Sequence, residues 1–408
     1  MGMKMVTFEH QNKINTPKEY HDVVVVGGGM VGATFALTLA KAGFSVLVIE
    51  SLPLAKVVNR IKPDIRVSAI NYTSVEFLRS LQVWQNIGDD FCVPYRQLYI
   101  WECPSSEVVF DAASINLPEL GCMVENRRLQ QALWQSLSGC DKLKLRCPAV
   151  LKAMQYDGSR WLLRLSDGSE ITNRLLVGAD GTNSQVRQHA GITISGWQYR
   201  QSCMLLSAEI EDKSYQHKST WQMLTPTGPR AFLPLYDKWA SLVWYDSSWR
   251  IRQLQQLTLQ SLTHKVMTAF PARLGTIKLH NAASFLLTRS HAGNYVKPGL
   301  ALIGDAAHTI NPLGGQGFNL GLRDARTLAE VLISAIEHDE PWDSLQVLRR
   351  YEHQRRCNNL LIQAVMDVFY TTFSNDLPPL KLARNIGLML AQRADGIKLR
   401  VLKYVLGL

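Results

Sequence analysis

The chain has no apolar run approaching the about 20 residues that a helix needs to span a bilayer. It has no internal repeat and no low-complexity segment. Seven cysteines are present (Cys92, Cys103, Cys122, Cys140, Cys147, Cys203 and Cys357), but no C-x-x-C pair. Scattered single thiols are packing residues of a reducing compartment, not a disulfide frame. No H-E-x-x-H occurs and the histidines are dispersed, so no metal site is expected. No nucleic-acid-binding motif is present, and no nucleic-acid partner is expected. The first residues, MGMKMVTFEHQNKINTPKEY, lack the long apolar core of a secretory signal. They are expected to be a flexible extension over 1–20, and the chain is expected in the cytoplasm. What remains is a 408-residue chain, 46% hydrophobic and 19% charged, which suits a globular protein of two or three domains.

The most informative stretch that is present is HDVVVVGGGMVGATFALTLAKAGFSVLVIE, residues 21–50. An apolar strand runs into Gly27, Gly29 and Gly32 at the G-x-G-x-x-G spacing. An apolar helical run follows, then a second strand ending in Glu50. This is a complete βαβ dinucleotide site. Gly27 allows the tight turn, Gly29 lets the backbone approach a pyrophosphate, and Gly32 lets helix and strand pack closely. The helix N-terminus offers free N–H groups to phosphate. Glu50 can accept from a ribose diol and argues against a 2′-phosphate. Between NAD and FAD this stretch does not choose.

Two later segments bear on that choice. In RLLVGADGTNSQVRQHAG (174–191) a strand runs into Gly178, Asp180 and Gly181, with Arg187 following. In GLALIGDAAHTINPLGGQGFNLGLRDA (299–325) a strand ends in Gly304 and Asp305. His308, Pro312 and the turn Gly314, Gly315, Gln316, Gly317 come next, then a long apolar helix. A strand followed by Gly-Asp sets a carboxylate at the carboxyl end of a sheet, where open α/β sheets bind ligands. Asp305 could hold a ribitol hydroxyl, and the glycine turn could set a helix N-terminus beside a flat ring, stabilising negative charge there. Asp180 could instead cap a helix, Arg66 could be an ordinary solvated arginine, and His308 could be structural or catalytic.

In this order the three motifs resemble those of the aromatic-ring flavoprotein monooxygenases built like para-hydroxybenzoate hydroxylase. The resemblance covers nearly the whole chain from His21. The stretches DIRVSAI (64–70), MVENRRLQQALWQ (123–135), GPRAFLPL (228–235), WASLVWYDS (239–247) and FSNDLPPL (373–380) are similar to the branch that hydroxylates polyprenylated rings in ubiquinone biosynthesis. The resemblance implies FAD, with NAD(P)H as a transient electron donor, and hydroxylation of a polyprenylated benzoquinol by O2 through a C4a-hydroperoxyflavin. It implies that Gly27, Gly29 and Gly32 wrap the pyrophosphate, that Glu50 binds the adenosine ribose, and that Arg66 lies near the pyrophosphate. Asp180, Gly181 and Arg187 match a segment linked to FAD and the nicotinamide nucleotide. Gly304 and Asp305 match the ribitol site. Pro312 and Gly314 to Gly317 match the loop edging the isoalloxazine. No second G-x-G-x-x-G is found, which suits a nucleotide that only visits. The catalytic base is not named; His308 and Pro312 are the candidates. A halogenase on this scaffold would carry W-x-W-x-I-P, which is lacking. A prenyl-lipid reductase, or a non-catalytic FAD-bound organiser of a lipid-pathway complex, remains open.

The fold class expected is α/β: a discontinuous Rossmann-like FAD-binding domain, a β-sheet substrate domain and a C-terminal helical region. The FAD-binding parts are placed at 21–75, 111–195 and 286–345. Substrate-domain segments are placed at 76–110 and 196–285, with a hairpin turn at Asp237-Lys238. The C-terminal helices take 346–408. The net charge is +10. From Lys381 onward the tail holds Lys381, Arg384, Arg393, Lys398, Arg400 and Lys403 against Asp395 alone, with apolar residues near helical spacing. Such a tail would lie on an anionic membrane, dock on a partner in a biosynthetic complex or an oligomer, or pack on its own domain with a solvated basic face.

Overall fold

The computed structural model describes residues 19–54, 62–211, 218–311 and 315–408. Of the extension expected over 1–20, residues 1–18 lie outside them, as do Pro312 and Gly314, while Glu19 and Tyr20 already belong to the first strand. The first sheet grows around strand β1 (Glu19–Val26). Its valines Val23 to Val26 are buried, the mark of a parallel strand covered on both faces. Helix α1 (Met30–Lys41) returns the chain to strand β2 (Val46–Ile49), which pairs parallel with β1. On the other side of β1 lies the parallel strand Glu170–Gly178, and beyond it Leu300–Leu302. In register, Val26 stands opposite Ile49 and Gly178, and Gly178 opposite Leu302. The residues leaving these strands therefore emerge side by side at one edge of the sheet. They are Gly27, Glu50, Asp180 and Asp305.

A short three-stranded sheet contains β3 (Val67–Asn71), paired with Gly121–Glu125. Helices α2 (Tyr72–Ser80) and α3 (Asn126–Ser138) follow these two strands, and the short α4 (Gln185–His189) follows the Asp180 turn.

The second large sheet has eight strands, most of them antiparallel. Two long strands, Ile194–Ile210 and Ile277–Ala292, run from the first layer into it and pair along their length. Gln97–Trp101 and Val108–Asp111 join its far edge. The hairpin between Arg230–Pro234 and Trp239–Ser247 turns at Asp237, whose φ is +54°. Helices α5 (Ser248–Gln255) and α6 (Leu259–Ala269) cover one face, burying Ile251, Leu254, Leu262 and Val266 against Met204, Leu206, Phe232 and Leu242. Strand alternation sends Cys203, Leu205 and Ser207, and likewise Ser241, Val243 and Tyr245, to the opposite face.

Helix α7 (Gln316–Glu337) returns to the first layer and meets α1. Gly321 makes that approach possible, because a Cβ there would come within 2.7 Å of Val31. Helices α8 (Leu345–Phe373), α9 (Pro378–Arg393) and α10 (Asp395–Leu406) complete the chain. No helix among the described residues is long and apolar enough to cross a membrane.

Candidate functional site: a dinucleotide cleft at the strand ends

The glycine turn divides its labour between packing and open space. Gly27 has a φ of +108°, and a Cβ on it would meet the Ala179 carbonyl oxygen at 2.3 Å. On Gly32 a Cβ would meet the Gly27 carbonyl oxygen at 2.1 Å. These two glycines exist so that the first and second motifs can touch. Gly29 is different: a Cβ there would meet nothing within 4 Å. It is the N-cap of α1, with no side-chain cap and no acid in the first turn. An uncapped helix N-terminus beside open space is an anion site. Glu50 borders it, its carboxylate accepting from the Gly28 N–H at 2.7 Å and the Leu52 N–H at 2.9 Å. Trp134 of α3 closes the outer side by donating Nε1–H to the Gly28 carbonyl at 2.7 Å.

Asp180 is not the cap of α4. That role falls to Ser184, whose hydroxyl accepts from the Arg187 N–H at 3.0 Å. Asp180 Oδ2 accepts from the Val186 N–H at 3.1 Å, while its Oδ1 is buried with no hydrogen-bond partner among the described residues. A buried carboxylate oxygen left unpaired is costly unless a ligand supplies the donor. The adjoining Gly181 (φ +76°) also faces open space.

Arg187 was expected to contact nucleotide. It is buried instead, donating to the Ala306 carbonyl at 2.9 Å and the Thr182 carbonyl at 2.8 Å. It ties the second motif to the third. Asp305, held between them, is solvent-exposed yet enclosed by enough protein for desolvation to raise its pKa above the usual carboxylate value. That combination marks the wall of a cleft. Its carboxylate makes no hydrogen bond among the described residues, so it is free for a ligand hydroxyl.

His308 is a correction to the catalytic candidates. Its ring is buried, and Nε2 lies 2.5 Å from Asp324 Oδ2. Asp324 also accepts from the Gly304 N–H at 3.2 Å, Arg355 Nε at 2.8 Å and Asn359 Nδ2 at 3.1 Å. Although burial opposes ionisation, the charges of His308 and Arg355 hold this carboxyl well below the usual range. The cluster locks the turn that presents Asp305; His308 supports the site from behind. Pro312, the other candidate, lies outside the described residues.

The N-terminus of α7 arrives beside β3. Gly315 (φ +66°) is its N-cap, and a Cβ on Gly315 would come within 3.2 Å of the Ala69 Cβ. Asn319 pins the two together, donating to the Ala69 carbonyl at 2.9 Å and accepting from the Asn71 N–H at 3.0 Å. This helix end also has no side-chain cap and no acid in its first turn. Gln316 is buried at the start of α7, with Gly317 after it. Arg66, just before β3, is exposed, and its guanidinium makes no hydrogen bond or ion pair among the described residues.

Two uncapped helix ends, an unpaired buried carboxylate oxygen and a free strand-end aspartate fit a long dinucleotide with a polar linker. Comparison with known proteins agrees. Residues 20–366 match the family described as FAD binding domain. The chain belongs to this FAD-binding family. It is 52% identical over 394 residues to 3-demethoxyubiquinol 3-hydroxylase of Escherichia coli, covering 97% of this chain and 100% of that protein. It is 35% identical to ubiquinone hydroxylase UbiL of Rhodospirillum rubrum, covering 95% and 89%. The structure of p-nitrophenol 4-monooxygenase PnpA from Pseudomonas putida DLL-E4 matches with a TM-score of 0.79 at 19% identity, over 95% of this chain and 98% of that one. At that identity the likeness is one of fold. FAD is thus the cofactor, and the class is that of FAD-dependent aromatic-ring hydroxylases.

Motif reading does not reach the other wall of a hydroxylase site. The face of the second sheet away from α5 and α6 carries Leu205, Leu233 and Val243. Leu233 also packs in the cluster that includes Val67 and Ala69 of β3, which places this face toward the Gly315 turn. On the same face Ser207 and Ser241 stand opposite each other in register. Both hydroxyls are buried without a hydrogen-bond partner among the described residues. Period-2 alternation could have flagged them, but only with the strand register in hand.

Proposed function

We propose that this chain hydroxylates the ring of a polyprenylated benzoquinol on the route to ubiquinone, using O2 and NAD(P)H. The observation that carries the reading is the 52% identity to the Escherichia coli hydroxylase along essentially the full length of both chains. The relatives named for ubiquinone biosynthesis include a human COQ6 protein, 30% identical. Bound FAD supplies hydride acceptance and oxygen activation. The chain supplies the rest. The α1 N-terminus and Gly29 cradle the pyrophosphate, with Arg66 as counter-charge. Glu50 takes the adenosine ribose, Asp180 and Asp305 take hydroxyls of the linker, and Arg187 holds their two loops in register. The α7 N-terminus at Gly315 to Gly317 faces the reacting ring and favours negative charge on it. Leu205, Leu233 and Val243 keep water from the reacting centre. Ser207 and Ser241 hold the quinol oxygens. The protein works in the cytoplasm.

The test is direct. The purified protein is yellow, and a short-chain demethoxyubiquinol accelerates both NAD(P)H oxidation and O2 uptake, with a ring-hydroxylated product identified by mass spectrometry. NAD(P)H-dependent reduction of the prenyl lipid without O2 uptake would point to the reductase instead. A colourless protein that takes up no FAD would remove both readings.

A further inference from the structure

Helix α9 is built the wrong way round for a soluble surface helix. Its inward face is polar. Arg384 is buried and forms an ion pair with Glu102, its Nε 2.8 Å from Oε2. Asn385 donates to the same carboxylate at 2.7 Å and accepts from the Ser106 hydroxyl at 2.6 Å. Gln392 accepts from the Val109 N–H at 2.9 Å. Its outward face is apolar. Leu382 is 64% exposed, Ile386 46% and Leu390 60%, with Met389 between them. These fall at helical spacing and form one stripe. Helix α10 also turns apolar residues outward: Ile397, Val401 and Tyr404 are exposed along one side. Its other side buries Leu402 and Leu406 against the cluster containing Val67 and Ala69 of β3.

A soluble chain leaves single apolar residues exposed but seldom two consecutive stripes. The surrounding charge says what covers them. Arg393, Arg400 and Lys403 are exposed and make no ion pair among the described residues. Asp395 is the one acid from residue 377 to the end. A second copy of this chain docked here would press these cations against their equivalents. An anionic surface compensates them, and a lipid surface also takes up the apolar stripe.

We propose that the outward stripes of α9 and α10 seat this protein on an anionic lipid bilayer. The placement suits a hydroxylase of a lipid-borne ring, although the inference rests on exposure and charge alone. Asn71 and Thr73 donate to the Val405 and Leu406 carbonyls at 3.4 and 2.5 Å. Helix α10 is therefore fastened to the end of β3, next to the Gly315 turn. One helix thickness, about 10 Å, separates the seated surface from β3.

The test uses the FAD-loaded full chain and reads sedimentation with vesicles, not turnover. One vesicle is phosphatidylcholine with phosphatidylglycerol, the other phosphatidylcholine alone. The wild-type chain sediments with the anionic vesicles. The variant L382Q/I386Q/L390Q loses this binding by about tenfold or more. R393E/R400E/K403E loses the preference for anionic lipid. Both variants keep bound flavin and the thermal midpoint, because none of the six side chains is buried. A wild-type chain that stays in solution with both vesicles, or variants that sediment as it does, would overturn the proposal. So would light scattering that finds a dimer in the wild type and a monomer in the apolar variant, which would give the face to a second copy.

Discussion

The carboxyl edge of the first sheet and the inner face of the second are the two walls of the proposed site, and they are built by different rules. On the first, the proposed contacts are backbone groups and strand-end carboxylates. Each is set by a few residues contiguous in sequence: Gly27 to Gly32, Asp180 to Arg187, Gly304 to His308. On the second, the proposed contacts are side chains alternating along strands that are distant in sequence. Ser207 and Ser241 become neighbours only through the pairing of Ile194–Ile210 with Trp239–Ser247. A local motif survives in any alignment of letters. A face exists only after the strands have found their register.

The comparison breaks most visibly at the glycines. Gly27→Ala forces a side chain into the Ala179 carbonyl at an unfavourable φ and costs about 3 kcal/mol or more, leaving little folded protein. Gly29→Ala meets no atom within 4 Å. The apo-protein melts as wild type but binds FAD more weakly. Equal melting of the two variants would mean that the glycines do not divide packing from ligand approach.

Asp305→Ala tests the carboxylate edge. Nothing in the described chain depends on that side chain for a hydrogen bond, so the fold persists while FAD affinity drops about 100-fold, or about 2.7 kcal/mol. Flavin titration by fluorescence quenching measures it. Retention equal to wild type would show the ribitol contact to be misassigned.

The seam between the regions gives a pH effect. His291 stands opposite His308 in register, and burial, assisted by the charge of His308, pushes its pKa down to about 4. The folded form keeps this imidazole neutral, while the unfolded chain protonates it at about 6.5. Its contribution is complete above about pH 6.5 and is lost as pH falls toward about 4. At about pH 5 the loss is about 2 kcal/mol. His291→Asn flattens the urea midpoint over that window. An unchanged slope in the variant would assign the acid sensitivity elsewhere.

The smallest effect belongs to the second sheet. Ser241→Ala or Ser207→Ala removes a buried hydroxyl that has no partner among the described residues. Stability stays level or rises slightly, flavin content is unchanged, and kcat/KM for the quinol drops about tenfold. A variant with full kcat/KM would mean that this face only walls the cavity.

Much of the first region was legible in the sequence because strand, glycine turn and helix recur within thirty residues, and the physics of a phosphate cradle demands that order. Arg187 and His308 were harder. Both sit inside motifs, and both turned inward, because other groups claimed them: the Ala306 carbonyl of the third motif for Arg187, and Asp324, farther along the same segment, for His308. Asp180 was expected at the cofactor, with a helix cap as the alternative role; Ser184, four residues on, is the cap. The tail was legible as basic and amphipathic, but its orientation was not. Helical periodicity identifies two faces without saying which one turns inward. For α9 the choice fell to Glu102, a buried carboxylate that needed Arg384 and Asn385.

By itself, then, the sequence determined a dinucleotide site, since short-range motifs dictate where amides and carboxylates emerge from a parallel sheet, and its resemblance to known flavoproteins implied FAD. Tertiary structure alone decided which side chains share the inner face of the second sheet and which helix face remains outside. Those outcomes depend on pairings between residues more than 30 positions apart in every case described here, as with Ser207 and Ser241, or Glu102 and Arg384. No local pattern can specify a partner that only the folded chain brings near.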